Sequence, residues 1–333
     1  MQAFVTGSTG LLGSNLVRCL VQQGYSVKAL VRSIPKAKQR LGGLDQVEFV
    51  EGDLQNVPAF ALALKGCDVL FHAGAYFREY YGLGDHWPQL KRINIQATVE
   101  LFEAAAKAGV GKVIYVSSSG CIGLQPDGSP GNETSAPGPI TYRNLYFKSK
   151  LMAEQAVAQF LEQHPLPVVL ILPGAMAGPG DAAPTELGQF VLNYLQGKIP
   201  ALLSGGMSIV DVRDVADAVV TAVERGQVGQ RYLVGGTYYS MAHIMQTLES
   251  VSGVPAPKGK LPGFMMRILA WISTWVGGLT GRKPEIPQAG VAFMLAAMAY
   301  DSTKAQRELG TQFRPLAETL ADMVTWYRQE GFG

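Results

Sequence analysis

Little in this sequence points to metal, nucleic acid or the cell exterior. Its three cysteines, Cys19, Cys67 and Cys121, stand far apart in 333 residues. They have neither the paired spacing of a zinc site nor the density of a disulfide scaffold, and they fit a reducing, cytoplasmic setting. The four histidines, His72, His86, His164 and His243, form no metal-ligand spacing. Charge of one sign is also missing. Lys and Arg number 28 against 26 Asp and Glu, dispersed along the chain with a net of +2, which excludes a basic nucleic-acid footprint. No Gly-x-Ser-x-Gly elbow or Walker phosphate loop occurs. No basic stretch leads into an apolar segment at the start, so no signal peptide is expected. The longest apolar run near the C-terminus, Ile268 to Thr280, is too short to span a bilayer. It follows Arg267 and carries Trp271 and Trp275 four residues apart, on one helix face. A core or pocket-lining helix is the favoured expectation, and a membrane-surface helix the lesser one.

What is present reads as a folded α/β chain. Hydrophobic residues at 47% against 16% charged place it among globular proteins. Ala3–Thr6, Ser26–Val31, Val47–Val50, Val69–His72, Val113–Ser117, Val168–Leu172 and Arg231–Val234 read as strands. Leu11–Gln23, Ile93–Ala108, Tyr142–His164 and Asp214–Glu224 read as helices between them. That alternation predicts right-handed βαβ units and a doubly wound parallel sheet. Pro and Gly crowd the chain after Pro173, and it is mostly helical from Ser240. The expected division is a dinucleotide-binding core of residues 1–172 plus 208–235. A smaller, mostly helical substrate lobe takes residues 173–207 plus 236–333.

The segment Thr6-Gly7-Ser8-Thr9-Gly10-Leu11-Leu12-Gly13 joins the first strand to the first helix. Glycines there allow the backbone to approach a pyrophosphate, and the helix N-terminus offers free N–H groups. About 20 residues on, an NAD site places an acid to accept from the ribose hydroxyls. This chain has Arg32, with Lys36 nearby. A guanidinium attracts a 2′-phosphate, so NADP(H) is the preferred cofactor and NAD(H) the second option. Asp53, before Leu54, is either an acceptor for the adenine amino group or a turn aspartate.

Tyr146 and Lys150 stand four residues apart in a helical stretch, and so on one face. An ammonium beside a phenol favours the phenolate, which makes tyrosine serviceable as an acid/base while hydride moves. Ser117, Ser118 and Ser119 end the preceding strand, on the edge where ligands of parallel sheets bind. A serine there can donate to a substrate oxygen; Ser118 is the choice and Ser119 the alternate.

Glycine cradle, serine run and Tyr-Lys helix together resemble the short-chain dehydrogenase/reductases, specifically their extended branch. The resemblance extends to His72-Ala73-Gly74-Ala75, the helix from Asn94, Leu172-Pro173-Gly174-Ala175-Met176, Val210-Asp211-Val212-Arg213-Asp214, and Tyr300-Asp301-Ser302-Thr303-Lys304. The nearest subgroup looks like the dihydroflavonol 4-reductase-like proteins, with relatives described as sugar epimerases and associated with hopanoid synthesis. The resemblance implies a catalytic triad of Ser118, Tyr146 and Lys150. It also implies that Ala73, Gly74, Ala75, Ser117, Pro173, Gly174 and Met176 meet the cofactor.

Sugar dehydratases of this branch carry an Asp-Glu pair after the catalytic hydroxyl, where this chain has Ser119 and Gly120. Nucleotide-sugar epimerases carry cationic partners for a pyrophosphate at positions filled here by Leu172 and Ser208, with Arg213 as the one substitute. A pocket wall is expected from Tyr76, Phe77, Tyr80, Tyr81, Trp87, Met176, Phe190 and Tyr194, with Ser119 also facing substrate. The expectation is an oxidoreductase for an apolar or aromatic ketone or alcohol. An epimerase is the alternative and an NADP-sensing regulator the third. Partners are expected to be small molecules, and the chain a monomer or a homodimer.

Overall fold

The computed structural model of the chain describes residues 1–77, 84–281, 284 and 286–332. Its first strands are β1 (Gln2–Thr6), β2 (Ser26–Val31), β3 (Val47–Glu51), β4 (Val69–His72), β5 (Lys112–Val116) and β6 (Val168–Pro173). Six follow: β7 (Ala175–Ala177), β8 (Leu202–Leu203), β9 (Gly206–Asp211), β10 (Arg231–Val234), β11 (Thr237–Ser240) and β12 (Lys260–Leu261). The central sheet has seven strands in the order β10-β6-β5-β4-β1-β2-β3. Every pairing in it is parallel, in registers such as Thr6 to His72 and His72 to Tyr115. The chain winds outwards in both directions from β1 and β4, so the switch in strand order falls between them. In open parallel sheets that crevice takes the ligand.

β4 and β6 are buried along their whole length, as helices on both faces require. On one face Leu16, Val17 and Leu20 of the Leu11–Gln22 helix pack with Val215 and Val219. On the other, Leu101 and Phe102 meet Val157 and Phe160. β7, β9 and β11 form a separate sheet, and the C-terminal helices Met241–Ser252 and Leu316–Gln329 close over it with Ile244, Leu248, Leu320 and Tyr327.

Three sequence expectations need correction. The helix expected over 142–164 is broken at Asn144, whose extended backbone separates Pro139–Arg143 from Leu145–Leu161. Its carboxamide oxygen accepts from the N–H groups of Tyr146 and Phe147, so Tyr146 stands in a first turn, anchored at its own backbone. The helix expected from Ile93 begins at Trp87 and passes through a π-turn, Leu90–Gln96, before the α-helix Ala97–Ala108. The C-terminal apolar run, expected as a core or pocket-lining helix, belongs to the Gly263–Thr280 helix, which lends Met266 and Leu269 to a pocket wall but is not a core helix. That helix packs on Gln288–Ala296 by one side only and leaves the other exposed.

Candidate active site

The carboxyl ends of the central strands open into one cleft of about 1670 Å³. Every residue assigned a cofactor or catalytic role above lies on its wall, as do Tyr76, Ser119, Met176 and Phe190. At one end sits the glycine turn. Gly7 has φ of +69°, and a Cβ there would come within 2.7 Å of Gly74 Cα. The turns after β1 and β4 therefore touch backbone to backbone. Gly10 is the N-cap of Leu11–Gln22 and no side chain caps that helix. Its first N–H groups face the cleft instead, beside Leu11, Leu12 and Gly13, with no acidic residue in the turn. This suits a pyrophosphate.

Arg32 and Lys36 stand exposed on the rim. Arg40, not singled out from the sequence, joins them and donates from Nη1 to Thr9 O at 2.6 Å. It lies four residues beyond Lys36 on the Ile34–Leu41 helix, so one face carries both. Asp53 caps the 3₁₀ turn Leu54–Ala59, accepting from Gln55 N at 2.8 Å, and also borders the cleft.

At the other end Lys150 is nearly fully buried and donates from Nζ to Val116 O at 2.8 Å. Nζ also lies 4.9 Å from the Tyr115 ring centroid. Burial lowers its pKa to about 8, against opposing pulls from Cys121 and Glu154. Tyr146 packs against Phe77, ring centroids 4.6 Å apart. Burial, aided by Cys121, pushes its phenol well above the ordinary value. That is the reverse of the direction expected from a neighbouring ammonium: desolvation of the phenolate sets the shift, and Lys150, turned to Val116 O and the Tyr115 ring, is not among its causes. Ser118 borders the cleft and its Oγ accepts from Gly120 N at 3.2 Å, so its proton is left for another acceptor. The Ser117 hydroxyl is committed to Glu154, which also pairs with Arg231.

Asn94 is a functional candidate that the sequence reading did not single out. Buried in the π-turn, it accepts from Tyr76 N at 2.7 Å and donates to Ser149 Oγ at 2.9 Å. It thus ties the turn after β4 to the helix that bears Tyr146 and Lys150. A buried asparagine in a π-turn was the available signal, but the turn itself is not written in the spacing. Two pocket-wall expectations fail. Tyr194 points into the C-terminal core and donates to Val254 O at 2.7 Å, and Trp87 lies beneath Lys148 away from the cleft lining. Tyr80 and Tyr81 fall outside the described residues. Arg213 is held by Asp211 and Asp322 and does not line the cleft.

His72, at the end of β4, is buried between the hydroxyls of Thr6 and Thr98, at 2.8 and 3.0 Å. Burial, with Lys150 as a lesser cause, holds its pKa down at about 3. In the unfolded chain the imidazole binds a proton below about pH 6.5. The unfolded state therefore holds more protons between about 6.5 and 3, and stability falls as pH drops through that window. Wild type should lose about 2 kcal/mol more than His72→Asn on going from pH 7 to pH 5, read by urea unfolding. Identical pH dependence in the two proteins would show that His72 titrates normally.

Residues 3–235 match the NAD dependent epimerase/dehydratase family. A Synechocystis protein provisionally named dihydroflavonol 4-reductase is 35% identical over 335 residues, covering 99% of this chain and 95% of that protein. Sterol demethylase protein B of Methylococcus capsulatus is 32% identical, with 99% of each covered. The crystal structure of gox2253 superposes with a TM-score of 0.85 at 34% identity, over 99% of this chain and 98% of that one. By the family match and by these full-length likenesses, the chain belongs to the NAD dependent epimerase/dehydratase family, the extended branch of the short-chain dehydrogenase/reductases.

Proposed function

We propose that the protein is an NADP(H)-dependent oxidoreductase that interconverts a ketone and a secondary alcohol on a largely apolar substrate. One observation carries the reading: the glycine turn, the Arg32–Lys36 rim, Ser118 and the Tyr146–Lys150 pair line a single cleft that also takes much of its lining from apolar side chains of residues 176–294. The coenzyme supplies or accepts hydride when bound. Gly7 to Gly13 and the helix N-terminus would hold its pyrophosphate, and Arg32, Lys36 and Arg40 a 2′-phosphate. Asp53 and Leu54 border the adenine end. Ala73, Gly74, Ala75, Ser117, Pro173, Gly174 and Met176 border the nicotinamide end.

Ser118 donates a hydrogen bond to the substrate oxygen, and Tyr146 exchanges a proton with it. A phenol raised by burial holds its proton, as ketone reduction requires. Lys150, one helical turn on and anchored at Val116 O, would be the cation that favours proton release once coenzyme and substrate are bound. Residues 1–172 and 208–235 would serve the coenzyme. Residues 173–207 and 236–333 would serve the substrate. Met176, Phe190, Leu203, Met207, Phe293 and Met294 give that end an apolar wall, with Tyr76 and Ser119 at its inner margin. The Methylococcus relative is named for sterol demethylation, which fits a bulky apolar substrate.

A nucleotide-sugar epimerase is disfavoured by the cations. Arg213 is paired elsewhere, and among the described residues that leaves the exposed Lys198 at the substrate rim to face a diphosphate.

The test is oxidation of NADPH against NADH over a panel of apolar ketones. Wild type should favour NADPH, and Arg32→Asp should lower kcat/KM for NADPH about 10–100-fold with little effect on NADH, as for a lost charge-assisted hydrogen bond. Equal use of both coenzymes by wild type would refute the NADP assignment. Epimer exchange without net coenzyme consumption would replace the reductase with the epimerase.

A further inference from the structure

The Gly263–Thr280 helix wears its apolar face outwards. It buries Met266, Ala270 and Gly277. Phe264 is 64% exposed, Trp271 62%, Trp275 59% and Leu279 69%, and Ile268 lies open beside them. These five recur at intervals of three and four residues, so they form one stripe, and exposed Met265, Ile272 and Val276 widen it. A helix on the surface of a globular protein ordinarily presents polar residues to water. A contiguous apolar face of this kind marks an interaction surface.

Charge selects the partner. From Pro255 to Lys283 the sequence carries Lys258, Lys260, Arg267, Arg282 and Lys283 and no acidic residue. Lys258, Lys260 and Arg267 are exposed at and before the start of the helix. A second copy docking by two-fold symmetry would set this cationic, acid-free segment against itself. A bilayer with anionic headgroups complements it, and tryptophan beside basic residues is the composition of helices that lie in the membrane interface. Among the described residues no helix is long and apolar enough to cross a membrane, so such a helix would rest on the surface.

We propose that Gly263–Thr280 is a membrane-surface anchor that lies flat on a bilayer containing anionic lipid, with Phe264, Ile268, Trp271, Trp275 and Leu279 immersed. The same helix supplies buried Met266 and, from its flank, Leu269 to the active-site cleft, which Leu261, Ile286 and Val291 also line. Apolar lining of the cleft thus continues onto the anchor. Resting on the oxidoreductase reading, this makes the substrate a membrane-resident ketone or alcohol that enters from lipid.

The full chain should sediment with phosphatidylcholine vesicles containing phosphatidylglycerol. It should do so less with phosphatidylcholine alone, and high salt should release it. Brominated lipid should quench the wild-type tryptophan emission. The variant Trp271→Ser/Trp275→Ser/Leu279→Ser alters positions outside the cleft and should partition at least about tenfold less, from the apolar area removed. Its circular dichroism and coenzyme binding should match wild type. No vesicle binding by wild type and no quenching overturns the anchor, as does undiminished binding by a folded variant. A wild-type dimer that the variant dissociates, with no affinity for vesicles, assigns the face to a second copy and also overturns it. Vesicle binding without turnover on any ketone keeps the anchor and removes the oxidoreductase reading; turnover without vesicle binding does the converse.

Discussion

Tyr146→Phe should lower kcat about 10²–10⁴-fold while coenzyme affinity stays near wild type. The substitution removes one oxygen and nothing else that the fold uses. The ring still packs against Phe77 at 4.6 Å, and the backbone N–H of residue 146 still donates to Asn144 Oδ1. In the proposed mechanism, what disappears is the proton that a reduced carbonyl oxygen must receive. Ser118 can polarise that oxygen but is a far weaker acid, so a residual rate set by positioning remains. The pH profile gives a second readout. Lys150 titrates at about 8, and it carries its charge below that value and loses it above. Wild-type reduction should therefore decline above about pH 8, while the phenylalanine variant, with no phenol for the ammonium to assist, should show little of that decline. Steady-state rates with NADPH and coenzyme titration by fluorescence measure both. A variant that turns over within a few-fold of wild type would remove the tyrosine from the chemistry.

The parts of this site that were legible in the sequence are those fixed by covalent spacing. Gly7, Gly10 and Gly13 lie within one turn, and Tyr146 and Lys150 within one helical repeat, so local geometry alone brings each set together. Strand ends were equally readable, because β4 is apolar up to His72 and β6 up to Pro173, with Gly174 after it. Arg40 and Asn94 were missed for a common reason. Their roles rest on contacts with Thr9 and Ser149, which only the tertiary fold creates. Asn144 carried an N-cap signal, but helix-compatible residues on both sides hid the break. The misplacement of Tyr194 and the unforeseen exposure of one side of the Gly263–Thr280 helix have another source. Apolar periodicity reports that a face exists, not what lies against it. For Tyr194 the answer was the C-terminal core, and for Trp271 and Trp275 it was solvent.

Gly13→Ala isolates the phosphate cradle from the rest of the cleft. Gly13 lies outside the residues with left-handed backbone, so an alanine there incurs no conformational strain of its own. The cost is crowding. Its Cβ would sit 2.0 Å from Gly7 O, 2.6 Å from Gly7 C and 2.8 Å from Ser8 Cα. All three are backbone atoms, and no side-chain rotation relieves them, so the turn between β1 and the Leu11–Gln22 helix must open. The expected result is a loss of about 2–4 kcal/mol in urea unfolding. Coenzyme affinity should fall at least about 100-fold, because the N–H groups would no longer converge on one phosphate. Gly24→Ala is the matched control. Gly24 has φ of +81°, and a Cβ there would meet nothing within 4 Å. It should lose about 1 kcal/mol from backbone strain alone and bind coenzyme as wild type does. If Gly13→Ala lost stability but kept its coenzyme affinity, the turn would be a packing device and the pyrophosphate would have to bind elsewhere along the cleft.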